Sequence, residues 1–361
     1  TVYYQITAPN YSTYNGRFDI IINKATASIT KVPTAKTLTY NGSAQALVNA
    51  GTGTAGTFKY STDNTNWSTT IPSKTAAGAY TVYYKVIGDN NHNDSAIGSV
   101  KVTINTKAMK VTATNGSTTY TGTATNGGAK VTVTTPTSGY TVKYGTSSGS
   151  YTLNAIPTYV NAGSYTVYYQ VTATNYTTFT GSLTITISTK AINISVTNGT
   201  AVYSGSATNG GAKVIVSDPS SGATVRYGTT SGTYNLTTVP TYTNAGTYTI
   251  YYQATATNYT SRKGSLTITI SKADAKVTKA PTAKTLTYNG SAQVLVNAGT
   301  GTGGTFKYST DNTNWSTTIP TKTNTGTYSV YFKVAGDSNH NDSNVGQVTV
   351  MIASGSIQAS T

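Results

Sequence analysis

The chain has 361 residues, of which only 9% are charged, and its 24 Lys and Arg outnumber its 9 acidic residues, which gives a formal net charge of +15. Every acidic residue is Asp and there is no Cys, so a disulfide framework is excluded. No apolar run approaches the roughly 18 residues that a membrane helix requires, so we expect no membrane insertion.

Residues 1–23 are predicted to form only part of a folding unit. The segment 1–5 (TVYYQ) matches 166–170 inside a later copy of the same pattern, which places it in the last strands of a unit. A partial unit leaves strand edges unpaired and an apolar face open. Two interpretations remain: the sequence is an excerpt of a longer protein, or this strand pair complements a neighbouring subunit.

Four copies of one pattern follow. Each copy opens with a Lys-Ala pair, at Lys24, Lys107, Lys190 and Lys272, so the copies are spaced by 83, 83 and 82 residues. This period is too long for a solenoid or propeller, whose repeats span about 20–50 residues, and it suits whole small domains in tandem. The predicted organisation is a type A repeat at 24–106, type B repeats at 107–189 and 190–271, a second type A repeat at 272–352, and a flexible tail at 353–361.

The first full repeat predicts an all-β structure. Alternation of apolar and polar residues indicates strands near 25–30, 37–39, 45–49, 56–61, 67–71, 79–88 and 96–105. Turns are predicted at the Asn-Gly pairs 41–42, 115–116, 198–199 and 289–290, because Asn and Gly tolerate positive φ. Seven short strands with frequent turns favour an antiparallel β-sandwich.

The clearest strand begins at Tyr80 in the first repeat. Its alternation predicts that one face of this strand is buried, and the same register in the other repeats predicts burial of Val82, Tyr84, Val167, Tyr169, Val330 and Phe332. A glycine two residues before a tyrosine recurs at the start of this strand. In immunoglobulin-like (Ig-like) domains a tyrosine at this place bonds back to the upstream chain and forms a tyrosine corner. The predicted corners are Tyr80, Tyr165, Tyr248 and Tyr328.

These motifs resemble the tandem bacterial Ig-like repeats of large secreted adhesins, in particular the MBG-type repeats. The resemblance rests on YNGSAQ at 40–45 and AGAYTVYY at 77–84, and it covers 24–352 together with the fragment in front. The type B repeats depart from the early motif and keep only its Tyr and Gly, at 120–122 and 203–205. The resemblance implies tandem Ig-like sandwiches that serve as extracellular stalks; similar repeats also occur on phage virions.

Two candidate sites recur in the type A repeats. Oxygen-rich loops, DNNHND at 89–94 and DSNHND at 337–342, lie where a hairpin must turn, and we interpret them first as turns; the alternative is a metal site with Asp89, Asp94, Asp337 and Asp342 as ligands. Trp67 and Trp315 hold the same place in each type A repeat, where a tryptophan either stacks on a sugar ring or packs at the edge of the sandwich.

Doubled tyrosines give a third pattern. In a strand, one residue of each pair must face outward, as at 83–84, 168–169 and 251–252. Outward tyrosines on successive repeats would form either an adhesive stripe or packing contacts.

The balance of charge bears on the partners. Basic residues are spread over all repeats, and the longest basic run is Arg262-Lys263. Nucleic-acid-binding proteins cluster their Lys and Arg, so we expect no nucleic-acid partner. A diffuse positive field favours contact with a polysaccharide or another anionic surface polymer. Lysines on strand edges also discourage aggregation without any partner.

No nucleophile, base and acid recur together, so the sequence predicts a protein that is not an enzyme and needs no cofactor. We predict a structural and adhesive stalk on a bacterial cell surface that spaces or multiplies weak contacts with glycans or a host surface. The alternatives are an Ig-like fibre or decoration segment of a bacteriophage virion and a carbohydrate-binding appendage of a secreted glycosidase. Joints of two or three residues predict a stiff rod, with about 35 Å per repeat at roughly 3.3 Å per strand residue.

Overall fold

The computed structural model describes residues 1–355, and within this range every regular element is a β-strand. The predicted tail at 353–361 lies largely outside the described residues. The chain divides into two compact units, one of Thr1–Thr118 with Gly122–Ile187 and the other of Thr119–Thr121 with Ser188–Thr361. Each unit is described by itself below.

The first unit begins with a hairpin and continues with repeats 1 and 2. The hairpin pairs β1 (Val2–Ile6) with β2 (Tyr14–Phe18). Repeat 1 comprises β3 (Ala25–Thr26), β4 (Ser28–Lys31), β5 (Thr34–Ala35), β6 (Leu38–Thr39), β7 (Gln45–Ala46), β8 (Val48–Asn49), β9 (Thr52–Thr54), β10 (Gly56–Ser61), β11 (Ser73–Lys74), β12 (Gly78–Gly88), β13 (His92–Asn93) and β14 (Gly98–Asn105). Repeat 2 comprises β15 (Lys110–Thr114), β16 (Gly116–Thr119), β17 (Lys130–Thr135), β18 (Tyr140–Gly145), β19 (Gly163–Ala173) and β20 (Phe179–Ser188).

The second unit holds repeats 3 and 4. Repeat 3 comprises β21 (Lys190–Ala191), β22 (Asn193–Thr197), β23 (Gly199–Val202), β24 (Lys213–Asp218), β25 (Thr224–Gly228), β26 (Gly246–Thr255), β27 (Tyr259–Thr260) and β28 (Arg262–Ser271). Repeat 4 comprises β29 (Ala273–Asp274), β30 (Lys276–Lys279), β31 (Thr282–Ala283), β32 (Leu286–Thr287), β33 (Gln293–Val294), β34 (Val296–Asn297), β35 (Thr300–Thr302), β36 (Gly304–Ser309), β37 (Thr321–Lys322), β38 (Gly326–Gly336), β39 (His340–Asn341) and β40 (Gly346–Ala353).

One four-stranded sheet recurs in every repeat. Its order is β6-β14-β12-β10 in repeat 1, β16-β20-β19-β18 in repeat 2, β23-β28-β26-β25 in repeat 3 and β32-β40-β38-β36 in repeat 4. The two long central strands pair antiparallel, while the short early strand joins the sheet in parallel, as β6 does beside β14. Two-stranded pairs such as β4-β9 and β15-β17 form the second layer of the sandwich. Each repeat is therefore an Ig-like sandwich whose first sheet strand is parallel to its neighbour.

The core of each repeat lies under the long central strands. In repeat 1, Val82 is fully buried and clusters with Tyr60, Val102 and Ile104 of the same sheet and with Leu47 between β7 and β8. The predicted register is confirmed: the six side chains expected to be buried are each no more than 8% exposed. Burying such side chains contributes about 1.5–3 kcal/mol each, so this apolar face is the main source of stability in every repeat.

Two sequence predictions are wrong. No strand spans 67–71; the chain there forms a loop that pairs with the sheet where Ser68 bridges Tyr60 and contacts it again through Trp67, and the next strand is β11. The expected turns at 115–116 and 198–199 are also absent, because Gly116 and Gly199 begin β16 and β23. A Cβ on Gly116 would lie 2.0 Å from the Asn126 carbonyl oxygen, so glycine serves close packing there and not positive φ.

At two joints between repeats, an asparagine of the later repeat caps the tyrosine-corner loop of the earlier one. Within the first unit, Asn175 Oδ1 accepts a hydrogen bond from the Ala77 backbone N–H at 2.9 Å. Within the second unit, Asn339 Oδ1 accepts one from the Ala245 N–H at 2.8 Å. Side-chain amides therefore fix repeat 1 to repeat 2 and repeat 3 to repeat 4.

Candidate functional site: the outer sheet face and its loops

The outer face of the four-stranded sheet is the surface turned away from the core. On β12 it presents Thr81, Tyr83 and Lys85, which alternate with the buried residues of the same strand. Register places Lys59 of the edge strand β10 directly opposite Lys85, and therefore diagonal to Tyr83. Diagonal neighbours lie about 7 Å apart, so an aromatic ring and a cation share this face.

The same pairing recurs in every repeat. The edge strand carries a cation beside a central-strand tyrosine in the pairs Lys59 and Tyr83, Lys143 and Tyr168, Arg226 and Tyr251, and Lys307 and Tyr331. The four tyrosines are all half-buried, which leaves part of each ring open to solvent. The sequence predicted outward tyrosines but missed the cations; a basic residue immediately before the edge-strand tyrosine, in all four repeats, is the signal that locates them.

In type A repeats a tryptophan covers part of this face. The Lys85 ammonium lies 4.8 Å from the centroid of the Trp67 ring and 2.8 Å from Asp94 Oδ2. Repeat 4 repeats the arrangement, with Lys333 Nζ 4.7 Å from the Trp315 ring. Each tryptophan is half-buried, so it lies over a lysine of a central strand and leaves only part of its ring accessible.

A carboxylate holds the loop that carries each tryptophan. Asp63 Oδ1 accepts hydrogen bonds from the Asn66 and Thr65 backbone N–H groups and from Ser61 Oγ, at 2.8–2.9 Å. These bonds, with that from Asn66 first, hold the pKa of Asp63 far below its usual value. Asp311 has the same partners in repeat 4, and its pKa is lowered for the same reason.

The proposed metal ligands are engaged within their own loops. Asp89 Oδ1 lies 2.6 Å from His92 Nδ1, and this hydrogen bond lowers the pKa of Asp89. Asp94 pairs with Lys85, which lowers its pKa, and accepts a hydrogen bond from the Gly88 N–H at 3.0 Å. Asp337 and Asp342 repeat these contacts with His340, Lys333 and Gly336. Within residues 1–355 no group of three or more His, Cys, Asp or Glu is placed to hold a metal ion.

These loops also carry a short strand that the sequence did not reveal. Residues 92–93 form β13, which pairs in parallel with β3 at the start of the repeat. The Asp89 carboxylate accepts a hydrogen bond from the Asn91 N–H at 2.8 Å and so shapes the turn that precedes the strand. The loop therefore closes one end of the sandwich.

The four tyrosine corners have the expected geometry. Tyr80 Oη donates to the Ala76 carbonyl at 2.8 Å. The corresponding bonds, each 2.9 Å, join Tyr165 to Asn161, Tyr248 to Asn244, and Tyr328 to Asn324. A tyrosine four residues after its acceptor thus ties the loop before the long strand to that strand.

The hairpin of residues 1–23 exposes an apolar surface. Its Val2, Tyr4 and Ile6 are 41%, 40% and 58% exposed, whereas the side chains at the matching positions of repeat 2 are at most 4% exposed. Ile20 to Ile22 are exposed as well, at 59–90%. Within residues 1–355 no second sheet layer covers the hairpin, whereas such a layer covers the matching positions of repeat 2.

No protein-family model matches the sequence, and no curated protein matches it. Among solved structures, the chain is similar to protocadherin gamma B2 extracellular cadherin domains 3–6, with 13% identity over 92% of this chain and 100% of that chain and a TM-score of 0.31. It is also similar to the human desmocollin-1 ectodomain, with 13% identity over 96% of this chain and 83% of that chain and a TM-score of 0.24. A third is the N-terminal eight Ig domains of Down Syndrome Cell Adhesion Molecule isoform 1.30.30, with 11% identity over 91% of this chain and 49% of that chain and a TM-score of 0.28.

These similar structures are tandem extracellular domains of the cadherin and Ig classes. Their identities and TM-scores are low, so the fold assignment of this chain rests on its own strand order and tyrosine corners. In the described part of the chain, no helix is long and apolar enough to cross a membrane.

Proposed function

We propose that this chain is a non-enzymatic adhesive stalk segment of a bacterial cell-surface protein, in which Ig-like repeats multiply weak contacts with glycans. The observation that carries the proposal is the fourfold recurrence of a cation beside a half-exposed tyrosine on the outer sheet face. Tyrosine presents an apolar ring face to sugar C–H groups, and a cation binds an acidic substituent.

Repetition supports adhesion because it turns several weak contacts into one firm attachment. When linked sites engage one polymer, each later contact forms at a high effective concentration, and overall avidity rises well above single-site affinity. The positive charge of the chain adds attraction to an anionic polymer. The joints at Asn175 and Asn339 hold successive repeats together, as a stalk requires.

The hydrogen bonds and ion pairs of the acidic residues support a non-enzymatic role that needs no metal. Asp63 and Asp311 serve loop backbones, while the carboxylates of the 89–94 and 337–342 loops serve neighbouring Lys, His and N–H groups. In each case the local structure uses the group that a general base or metal ligand would have to supply.

The apolar face of residues 1–23 adds a second kind of contact to the proposal. Its sequence matches the last strands of a type B repeat. In repeat 2 the earlier strands bury the positions that match the exposed apolar residues of the hairpin. A type B set of earlier strands fits this face, whether it precedes residue 1 in a longer protein or comes from a neighbouring subunit by strand complementation.

Bead adhesion under flow tests the proposal. Beads coated with the whole chain are expected to be retained on films of acidic polysaccharide more strongly than albumin-coated beads, and size-exclusion chromatography is expected to show the polysaccharide unchanged. Retention equal to albumin on every film, or shortening of the polymer, would contradict the adhesive, non-enzymatic role.

A further inference from the structure

The outer face of repeat 3 places two exposed cations in one row across its strands. Arg226 on β25 and Lys263 on β28 both lie opposite Gln253 on the strand between them. Strands are about 4.8 Å apart, so the backbone positions that carry the two cations lie about 10 Å apart in one row. Both are exposed, whereas the lysine of the type A central strand is largely covered by its tryptophan.

Two aromatic rings lie near the cations. Tyr251 is two residues from Gln253 on the same face of β26, and its cross-strand neighbours are the small residues Gly228 and Ser265. Tyr234 adds a second ring, whose centroid is 5.6 Å from Lys263 Nζ. One face therefore combines two cations, an amide donor and two rings.

The surroundings of this face carry no competing carboxylate. Asp218 is the only acidic residue between 190 and 271, and it is held by Lys190 Nζ at 2.6 Å and by Tyr259 Oη at 2.9 Å. In type A repeats, by contrast, Asp94 neutralises the central lysine. In repeat 2, Thr180 replaces the second cation, and Lys143 bonds Asn154.

We propose that the outer face of repeat 3, formed by Arg226, Tyr234, Tyr251, Gln253 and Lys263, binds the uronic acid residues of an acidic polysaccharide. This inference rests on the proposed adhesive function and names its strongest contact. A pyranose ring stacks on Tyr251, its carboxylate pairs with Arg226, and the next acidic residue along the polymer reaches Lys263. Charge complementarity selects the acidic polymer, because the face offers two cations and no carboxylate.

The combination of ring and cation favours a sugar acid over other polyanions. A polyphosphate offers charge but no pyranose face for Tyr251. Nucleic acid requires several phosphates to be neutralised together, and two cations on one sheet face fall short of that. Arg226 suits a carboxylate in particular, because its planar guanidinium pairs with two oxygens at once.

Paired variants of the whole chain test the assignment, with polygalacturonate as the probe in biolayer interferometry. We expect Arg226→Gln/Lys263→Gln to weaken binding about tenfold, because each exposed charge contact contributes a factor of a few. The matched control is Lys213→Gln/Arg262→Gln. It also removes one Lys and one Arg from repeat 3, but Arg262 lies opposite buried Ala254 and so projects from the other side of the sheet, and Lys213 belongs to the second layer. We expect the control to weaken binding less than twofold. Equal losses in the two variants would overturn the proposed face.

A third variant tests the sugar contact. We expect Tyr251→Thr, which keeps a strand-forming residue, to weaken polygalacturonate binding about fivefold and to leave binding of inorganic polyphosphate unchanged. A wild-type chain that binds polyphosphate or oligo-dT as tightly as polygalacturonate would overturn the uronic acid assignment. If the wild-type chain adheres to other polysaccharide films but not to polygalacturonate, this inference fails while the adhesive function stands. If it adheres to none, both fail.

Discussion

Asp63 shows how one carboxylate organises the loop that carries a tryptophan. Its oxygens bond to the loop backbone directly before Trp67, and the loop in turn places the tryptophan over Lys85. The folded pKa lies below that of the unfolded chain, which is about 3.9. The stabilisation is therefore complete above about pH 4 and is lost as the pH falls through the lower folded value.

The tryptophan emission spectrum follows this loop and its copy at Asp311. We expect emission to stay constant from pH 7 to about pH 4 and to shift to longer wavelength only in stronger acid. The double variant Asp63→Asn/Asp311→Asn should show the shifted emission already at pH 7. A transition of the wild-type chain centred at pH 5 or above would contradict the role of these carboxylates.

The tyrosine corner is a second device at the scale of single residues. Tyr80→Phe removes the hydrogen bond to the Ala76 carbonyl and keeps the ring. We expect a loss of about 0.5–1.5 kcal/mol in the opening free energy of β12, as is usual for one hydrogen bond. Hydrogen exchange measures it, with β38 of repeat 4 as the internal control because Tyr328 is unchanged. Equal loss of protection in both strands would show that the effect is not local.

At the scale of elements, the turn around Asn175 joins repeat 1 to repeat 2. Asn175 adopts φ of 70°, so replacement by glycine keeps the backbone conformation and removes only the side-chain acceptor. We expect Asn175→Gly to speed hydrogen exchange at the Ala77 amide about tenfold, since that amide loses its partner.

The hairpin supplies the matched control for this change. Asn10 occupies the equivalent turn, also with φ of 70°, and its side chain is exposed. Asn10→Gly should leave exchange at Ala77 unchanged. If the two variants behave alike, the joint does not depend on the Asn175 side chain.

The apolar hairpin face makes a separate prediction. Every residue of 1–23 except Gly16 is exposed, so no repeat core depends on this segment. Deletion of 1–23 is expected to change hydrogen exchange in the repeats less than twofold and to reduce fluorescence of the dye ANS. Substituting Ile20, Ile21 and Ile22 with Thr should reduce the dye signal in the same way. Unfolding of repeat 1 on deletion would show that the segment is part of that domain.

The long strands were predictable and the small ones were not. The period of two around Val82 is strong because one face is fully buried, and the structure confirms it. The 67–71 segment failed because Trp67 and Ile71 look like strand residues, while the Asp63 bonds fold the chain into a loop. The Asn-Gly pair at 115–116 was predicted to be a turn, because the sequence does not show that Gly116 packs closely against the Asn126 carbonyl. The sequence alone does not place the cations on the outer face, because which residues lie side by side depends on the register between strands, as with Lys59 and Lys85.

At the scale of the whole molecule, attachment is expected to grow with the number of outer faces. Each repeat presents the same pairing of cation and tyrosine, and repeat 3 adds a second exposed cation in the same row. Sites on one chain that bind one polymer reinforce each other, so removing them should weaken attachment by successive factors and not by a single step.

The dissociation rate from a polygalacturonate film measures this directly as the faces are removed one at a time in the whole chain. Arg226→Gln/Lys263→Gln comes first, followed by Lys143→Gln, Lys59→Gln and Lys307→Gln. Each added change is expected to speed dissociation a further few-fold. The control series starts from the same Arg226→Gln/Lys263→Gln variant and adds Lys31→Gln, Lys130→Gln and Lys279→Gln, whose lysines lie on strands of the second layer. These control changes are expected to leave the dissociation rate unchanged. If the rate does not respond beyond the first face, or responds equally to the second-layer series, the repeats do not act together through their outer faces and the adhesive account is contradicted.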